Sequence, residues 1–201
     1  MLDGLAVLRA ANQAATGKDT RGRLARDEED LLRAALVFTS SGLDACCKRL
    51  LRDTLPLLIE GIHTARTKFE DFVAQELTAH PAGLKAAILN PQPRAELVRL
   101  YIAARTKASL QGSDDLKSRV RDTLGITNAQ LPVAKLQDLD DFFKARNAIV
   151  HDLDYQDPSG TGTARHHRPM ELVRDQCDQA LQLVAALIAE TAKNVRALPK
   201  P

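Results

Sequence analysis

The chain has no tryptophan, two tyrosines and five phenylalanines in 201 residues. It therefore has few of the aromatic platforms on which proteins commonly stack single-stranded nucleic acid. Its three cysteines, an adjacent pair at Cys46 and Cys47 and a distant Cys177, fit neither a disulfide framework nor zinc-ligand spacing. They read as core thiols, and neither a metal nor a cofactor is expected. A net charge of only +2 rules out a broad cationic surface, so any anion site must be local. No apolar run approaches the length of a membrane span, and no basic stretch followed by an apolar segment opens the chain. A cytoplasmic setting without membrane association is the expectation. No segment alternates like a strand, and there is no internal repeat.

What is present is a leucine- and alanine-rich composition with 44% hydrophobic and 27% charged residues, which predicts an all-α fold. Residues 1–26 read as a short helix over 2–15, with Leu2, Leu5 and Leu8 on one side, followed by a polar linker containing Gly17 and Gly22. Residues 27–196 read as one helical domain, and 197–201 as a tail. Asp27, followed by Glu28 and Glu29, caps a helix expected to reach Asp53. Its two apolar stripes, Leu31–Ala35–Phe38–Cys46 and Leu32–Leu36–Leu43–Cys47–Leu50, predict burial from two sides. Pro56 is expected to open a new helix through Ala79, and a further helix runs from Arg94 to Ala108. Ser113, with Asp114 and Asp115, starts a short helix closed by Gly125. A helix from Val133 to His151 follows, then a loop over Asp152–His167, then a last helix from Pro169 with Val173, Cys177, Ala180 and Leu187 on one stripe.

The helix over 133–151 carries the chemistry. It ends in Arg146-Asn147-Ala148-Ile149-Val150-His151, which pairs a permanent cation with an imidazole able to move a proton. At 100° per residue, Leu139, Phe142, Arg146, Ile149 and Leu153 form one stripe and Leu136, Phe143, Asn147 and Val150 the next. Each apolar stripe is thus interrupted by one polar residue at the same level. Two readings follow: Arg146 reaches past its neighbours to solvent, or Arg146 and Asn147 line a polar cleft. His151 shares a face with Asn147 but lies about 140° from Arg146, so the two motif ends converge on one phosphate only near the helix end or across two protomers.

The run Phe142-Phe143-Lys144-Ala145-Arg146-Asn147-Ala148-Ile149-Val150-His151-Asp152 resembles the signature helix of the HEPN superfamily (higher eukaryotes and prokaryotes nucleotide-binding domains). In its ribonuclease members, Arg-x4-6-His is accompanied by a polar residue, commonly Asn, after the Arg. The helix with Leu36, Phe38, Ser41, Leu43, Asp44, Ala45, Leu50 and Leu51 is similar to that family's first core helix, and Pro169–Lys193 to its last. The resemblance spans about residues 27–196. It implies a helical bundle that dimerises with two motif copies facing one cleft, and a metal-independent endoribonuclease that leaves a 2′,3′-cyclic phosphate, of the kind found in prokaryotic defence or toxin–antitoxin systems. By position, His151 would be the general acid or base, Arg146 would hold the phosphate, and Asn147 would orient the substrate or the ring. Asp44, Ser40 and Ser41 are candidates to support them from the neighbouring helix.

The loop adds Arg165, His166, His167 and Arg168, and the motif helix adds Lys144, as candidates to hold RNA phosphates beyond the scissile one. A solvated loop is the alternative for that charge run. The implied partners are an RNA substrate, a second copy of the chain and an antitoxin or inhibitor protein. A non-catalytic HEPN module binding nucleotide, RNA or protein is the competing function.

Overall fold

The computed structural model describes residues 2–17 and 24–199, and among these the chain is all-α. Its helices in chain order are α1 (Leu2–Thr16), α2 (Arg26–Gly61), α3 (His63–Ala79), α4 (Pro81–Ile88), α5 (Pro93–Thr106), α6 (Ser113–Asp115), α7 (Val133–Gln137), α8 (Asp140–Asp152) and α9 (Met170–Arg196). A π-helical stretch, Leu116–Arg121, continues α6. The chain forms two compact units, Met1–Gly42 with Leu139–Leu181 and Leu43–Asp138 with Gln182–Pro201, so α2 and α9 each contribute residues to both. No helix among the described residues is long and apolar enough to cross a membrane.

In the first unit the expected N-terminal helix forms as α1, although the side chains of its apolar positions Leu2, Leu5 and Leu8 lie outside the described residues, as do linker residues 18–23. Glu28, in the acidic first turn of α2, accepts hydrogen bonds from Arg9 of α1 at 2.6 Å and from the Ala25 amide at 2.8 Å. Leu32 and Leu36 of α2, Phe142 and Phe143 of α8, and Val173 and Ala180 of α9 are buried. The expectation that α2 is covered from two sides does not hold here. Leu31 is 43% and Phe38 66% exposed, while Ala35 of the same stripe is buried with Leu32 and Leu36, so the core reaches only the edge of the Leu31–Phe38 stripe.

In the second unit α3, α4 and α5 pack on one another, and Tyr101 lies within 5.6 Å of the Phe69 ring and 5.0 Å of Phe72, ring centre to ring centre. Three sequence expectations are corrected at chain boundaries. Pro56 does not open a helix, because α2 continues through it to Gly61. The bond that Pro56 cannot donate would have gone to the carbonyl of Arg52, an exposed residue like Pro56 itself, while Leu55, Leu58 and Ile59 are fully buried on the other face and hold the helix. The actual break follows at Gly61–Ile62, where the Arg66 guanidinium caps the terminal carbonyls of Ile59 and Glu60. The segment from Ser113 is α-helical for three residues only before its π-helical turns, and it is closed, as expected, near Gly125. Gly125 has φ +70°, and a Cβ there would collide with Thr64 and the Ala65 amide.

The predicted helix over 133–151 is two helices. It breaks at Asp138–Leu139, where Leu139 takes φ −91° and ψ 2°. Asp138, Asp140 and Asp141 crowd this point, and carboxylates favour a helix start over a helix interior. Each side is held by a local pair, Lys135 to Asp138 at 3.3 Å and Lys144 to Asp141 at 3.0 Å.

The behaviour of α2 at its proline leads to a direct test. Pro56→Ala restores the missing helix donor without touching the buried face, and it is expected to raise stability by about 1–3 kcal/mol, part of the helix gain being offset by a freer unfolded chain. Urea denaturation measures the change; a loss of stability would mean that Pro56 serves the fold.

Candidate functional site: the end of the motif helix

Along α8 burial declines from N- to C-terminus. Phe142, Phe143 and Ala145 are buried, Arg146 to Ile149 are half-buried, Val150 is 43% exposed, and His151 is exposed. The six motif residues therefore lie where the helix emerges from the core. Arg146 is half-buried: Nη1 donates to Asn147 Oδ1 at 2.9 Å, and Nε is buried with no hydrogen-bond partner among the described residues. A buried donor left unpaired costs about 1–3 kcal/mol. The His151 side chain makes no hydrogen bond among the described residues.

Beyond His151 the chain turns sharply. Leu153 and Asp154 are consecutive non-glycine residues with left-handed backbone, φ 53° and φ 61°, and both amides donate to the Ala148 carbonyl. Such residues are individually strained and persist only where surrounding contacts over-determine them. Asp154 supplies those contacts. It is fully buried, and its carboxylate accepts from Arg33 Nε at 2.8 Å and from Arg168 Nη2 at 2.5 Å and Nε at 3.2 Å. Arg33 also reaches Asp30 at 3.0 Å and the His166 carbonyl at 3.0 Å. Burial works to lower the Arg33 pKa, but its bonds to Asp154 and Asp30 overcome this and hold it above the ordinary value. The Asp154 carbonyl accepts the His166 amide at 2.9 Å, and Gln156 donates to Ala164 at 2.9 Å, so the loop doubles back as a short ribbon bridged at Tyr155 and Arg165.

This arrangement engages most of the basic run. Arg165 pairs with Asp30 at 3.0 Å and lies 5.5 Å from the centre of the Tyr155 ring; His167 sits 3.4 Å from Glu29; Arg168 holds Asp154. Of the four, only the His166 side chain has no acidic partner among the described residues. Lys144 is exposed and paired with Asp141, which raises its pKa. On α2, Ser40 is buried and the Ser41 hydroxyl turns back to the Val37 carbonyl at 2.9 Å. Asp44 belongs to the second unit, where it pairs with Lys48 at 2.8 Å and accepts the Leu110 amide at 2.9 Å. The cysteines are free thiols, and burial pushes Cys47 up to about 12, so it is protonated at neutral pH. No group of three His, Cys, Asp or Glu side chains among the described residues is arranged to hold a metal ion.

Sequence reasoning did not identify Arg33 and Asp154 as partners. The available signal was a guanidinium inside the run Leu31-Leu32-Arg33-Ala34-Ala35-Leu36, on the buried side of an apolar helix, where a charge requires a partner. No family model, curated protein or solved structure matches the chain.

Removing the carboxylate tests the buried triad. Asp154→Asn leaves two buried guanidinium groups short of charge and is expected to lower stability by about 3–5 kcal/mol. The combined Arg33→Met, Asp154→Leu and Arg168→Met variant, which replaces the charges with apolar groups of similar size, should recover most of that loss in chemical denaturation. An Asp154→Asn protein as stable as the parent would remove the triad from the account of this turn.

Proposed function

We propose that the chain is a HEPN-type, metal-independent endoribonuclease that acts as a homodimer, with Arg146, Asn147 and His151 as its reacting group. The observation that carries this reading is the half-buried Arg146, tied to Asn147 and retaining an unpaired buried Nε donor on the helix that ends in an exposed His151. In such a reaction the 2′-hydroxyl of the RNA attacks the adjacent phosphorus, and the 5′-oxygen of the next nucleotide leaves. A 2′,3′-cyclic phosphate and a free 5′-hydroxyl result. Negative charge grows on the non-bridging oxygens, where a fixed guanidinium stabilises it. His151 takes the proton of the attacking hydroxyl or delivers one to the leaving oxygen, the part an imidazole plays in general acid–base catalysis.

The helical offset between Arg146 and His151 supports a composite site in which each protomer contributes to a cleft completed by its partner. Val150 and Leu153, at 43% and 60% exposure, flank His151 with apolar surface suited to such a contact. A defence or toxin–antitoxin role, with an inhibitor protein restraining the enzyme, is the setting we propose. An exposed His151 without an orienting partner is also compatible with a non-catalytic binding module, which would not slow its host's growth when expressed.

The purified protein is expected to cleave RNA in EDTA and to yield cyclic phosphate ends. His151→Ala and Arg146→Ala should each reduce the rate by about 100-fold or more. Activity that survives both substitutions would overturn the site.

A further inference from the structure

The motif helix has a second face that the reading above leaves unused. A cavity of about 430 Å³ opens beside α8 in the first unit, walled by Ala145, Ala148 and Leu172, with Gln176 at the α9 side and Lys144 and His166 among its remaining lining residues. We propose that this cavity is a nucleobase subsite, taking a base next to the scissile phosphate and favouring adenine over guanine. The proposal rests on the ribonuclease reading for its position in the reaction and on the cavity's own chemistry for its ligand.

Position comes first. At 100° and 1.5 Å per residue, His151 lies about 60° round the helix from Ala148 and about 4.5 Å further along it, whereas Arg146 is turned about 160° away. The cavity is therefore on the histidine side of α8, and a nucleotide whose phosphate is held at His151 would extend towards it. Its volume falls within the roughly 300–1,000 Å³ typical of small-molecule sites.

Charge decides between a base and a phosphate. Two of the cations lining the cavity are already neutralised, Lys144 by Asp141 and Arg168 by Asp154, and Asp141 itself adds a carboxylate to the lining. A phosphate site would present unpaired cations; here Lys144 and Arg168 are both paired, and what is left is small apolar walls, the His166 ring and one amide. That amide belongs to Gln176, which is 8% exposed and whose side chain makes no hydrogen bond among the described residues. A carboxamide offers one donor and one acceptor side by side, which complements N7 and the exocyclic amine of adenine. Guanine presents two acceptors on that edge and is best read by a forked arginine. Arg168 is the arginine at hand, and Asp154 holds it.

The test is cleavage of an RNA pool randomised around the cut, followed by sequencing of the product ends, with parent, Gln176→Leu and Leu172→Glu proteins. The parent should show adenine favoured over guanine by about tenfold at one position flanking the cut, and both variants should flatten that preference. A parent without base preference, or a preference unmoved in both variants, overturns the subsite while leaving the reaction intact if His151→Ala is inactive. Cleavage that survives His151→Ala, or no cleavage at all, strikes the ribonuclease reading instead. The cavity is then judged by NMR titration of the Gln176 side-chain amide. A shift with adenosine but none with ribose 5-phosphate supports a base site; a response to both, or to neither, overturns it.

Discussion

The buried carboxylate of Asp154 is the constraint around which the candidate site is organised. An ionised group with no solvent contact persists only if its charge and lone pairs are satisfied, and here Arg33 from α2 and Arg168 from the loop satisfy both. In return the carboxylate fixes three things at once: the left-handed turn that ends α8, the path of the loop, and the position of the first turns of α2 within the same unit. His151 lies three residues before this anchor. It sits in the last turn of the helix that this turn ends, with its ring exposed.

The same pairing changes what the basic run can do. Taken as a string, Arg165-His166-His167-Arg168 is a phosphate patch. In the fold, two of its cations close salt bridges to Asp30 and Asp154, and His167 sits beside Glu29. Glu29 in the first turn of α2 and Asp30 just after it thus also face the basic residues of the loop. What remains outward is Tyr155 with Arg165 beside it, the His166 ring, and the amide-bearing cavity on α8. With a net charge of only +2 for the chain, RNA affinity drawn from counterion release alone would be modest.

Much of the fold was legible in the sequence, and the failures have physical causes. All-α character followed from composition, and the last helix from a stripe that holds its spacing over 27 residues. Pro56 misled because proline ends helices on average, whereas three fully buried residues beside it outweigh one lost bond. The break at Asp138–Leu139 was hidden by an apolar stripe that continues in register on both sides of it; the aspartates were the better signal. Phe38 and Leu31 matched a core pattern perfectly and are exposed, since periodicity shows which residues share a face and not whether anything covers it. At the site, the contact between Arg146 and Asn147 could be anticipated because both interrupt apolar stripes at one level. The Arg33–Asp154 pair could not, because its members are 121 residues apart and no local rule links them.

The two guanidinium groups on apolar helical stretches, Arg33 and Arg146, are treated unequally by the fold. Their buried donors are satisfied to different degrees. Arg33 has its Nε on a buried carboxylate and its remaining donors on Asp30 and a carbonyl. Arg146 has one bond to the neighbouring Asn147 and a buried Nε with none. Retaining an unpaired donor in a half-buried position opposes stability, and a helix of the same packing with leucine at 146 would avoid it.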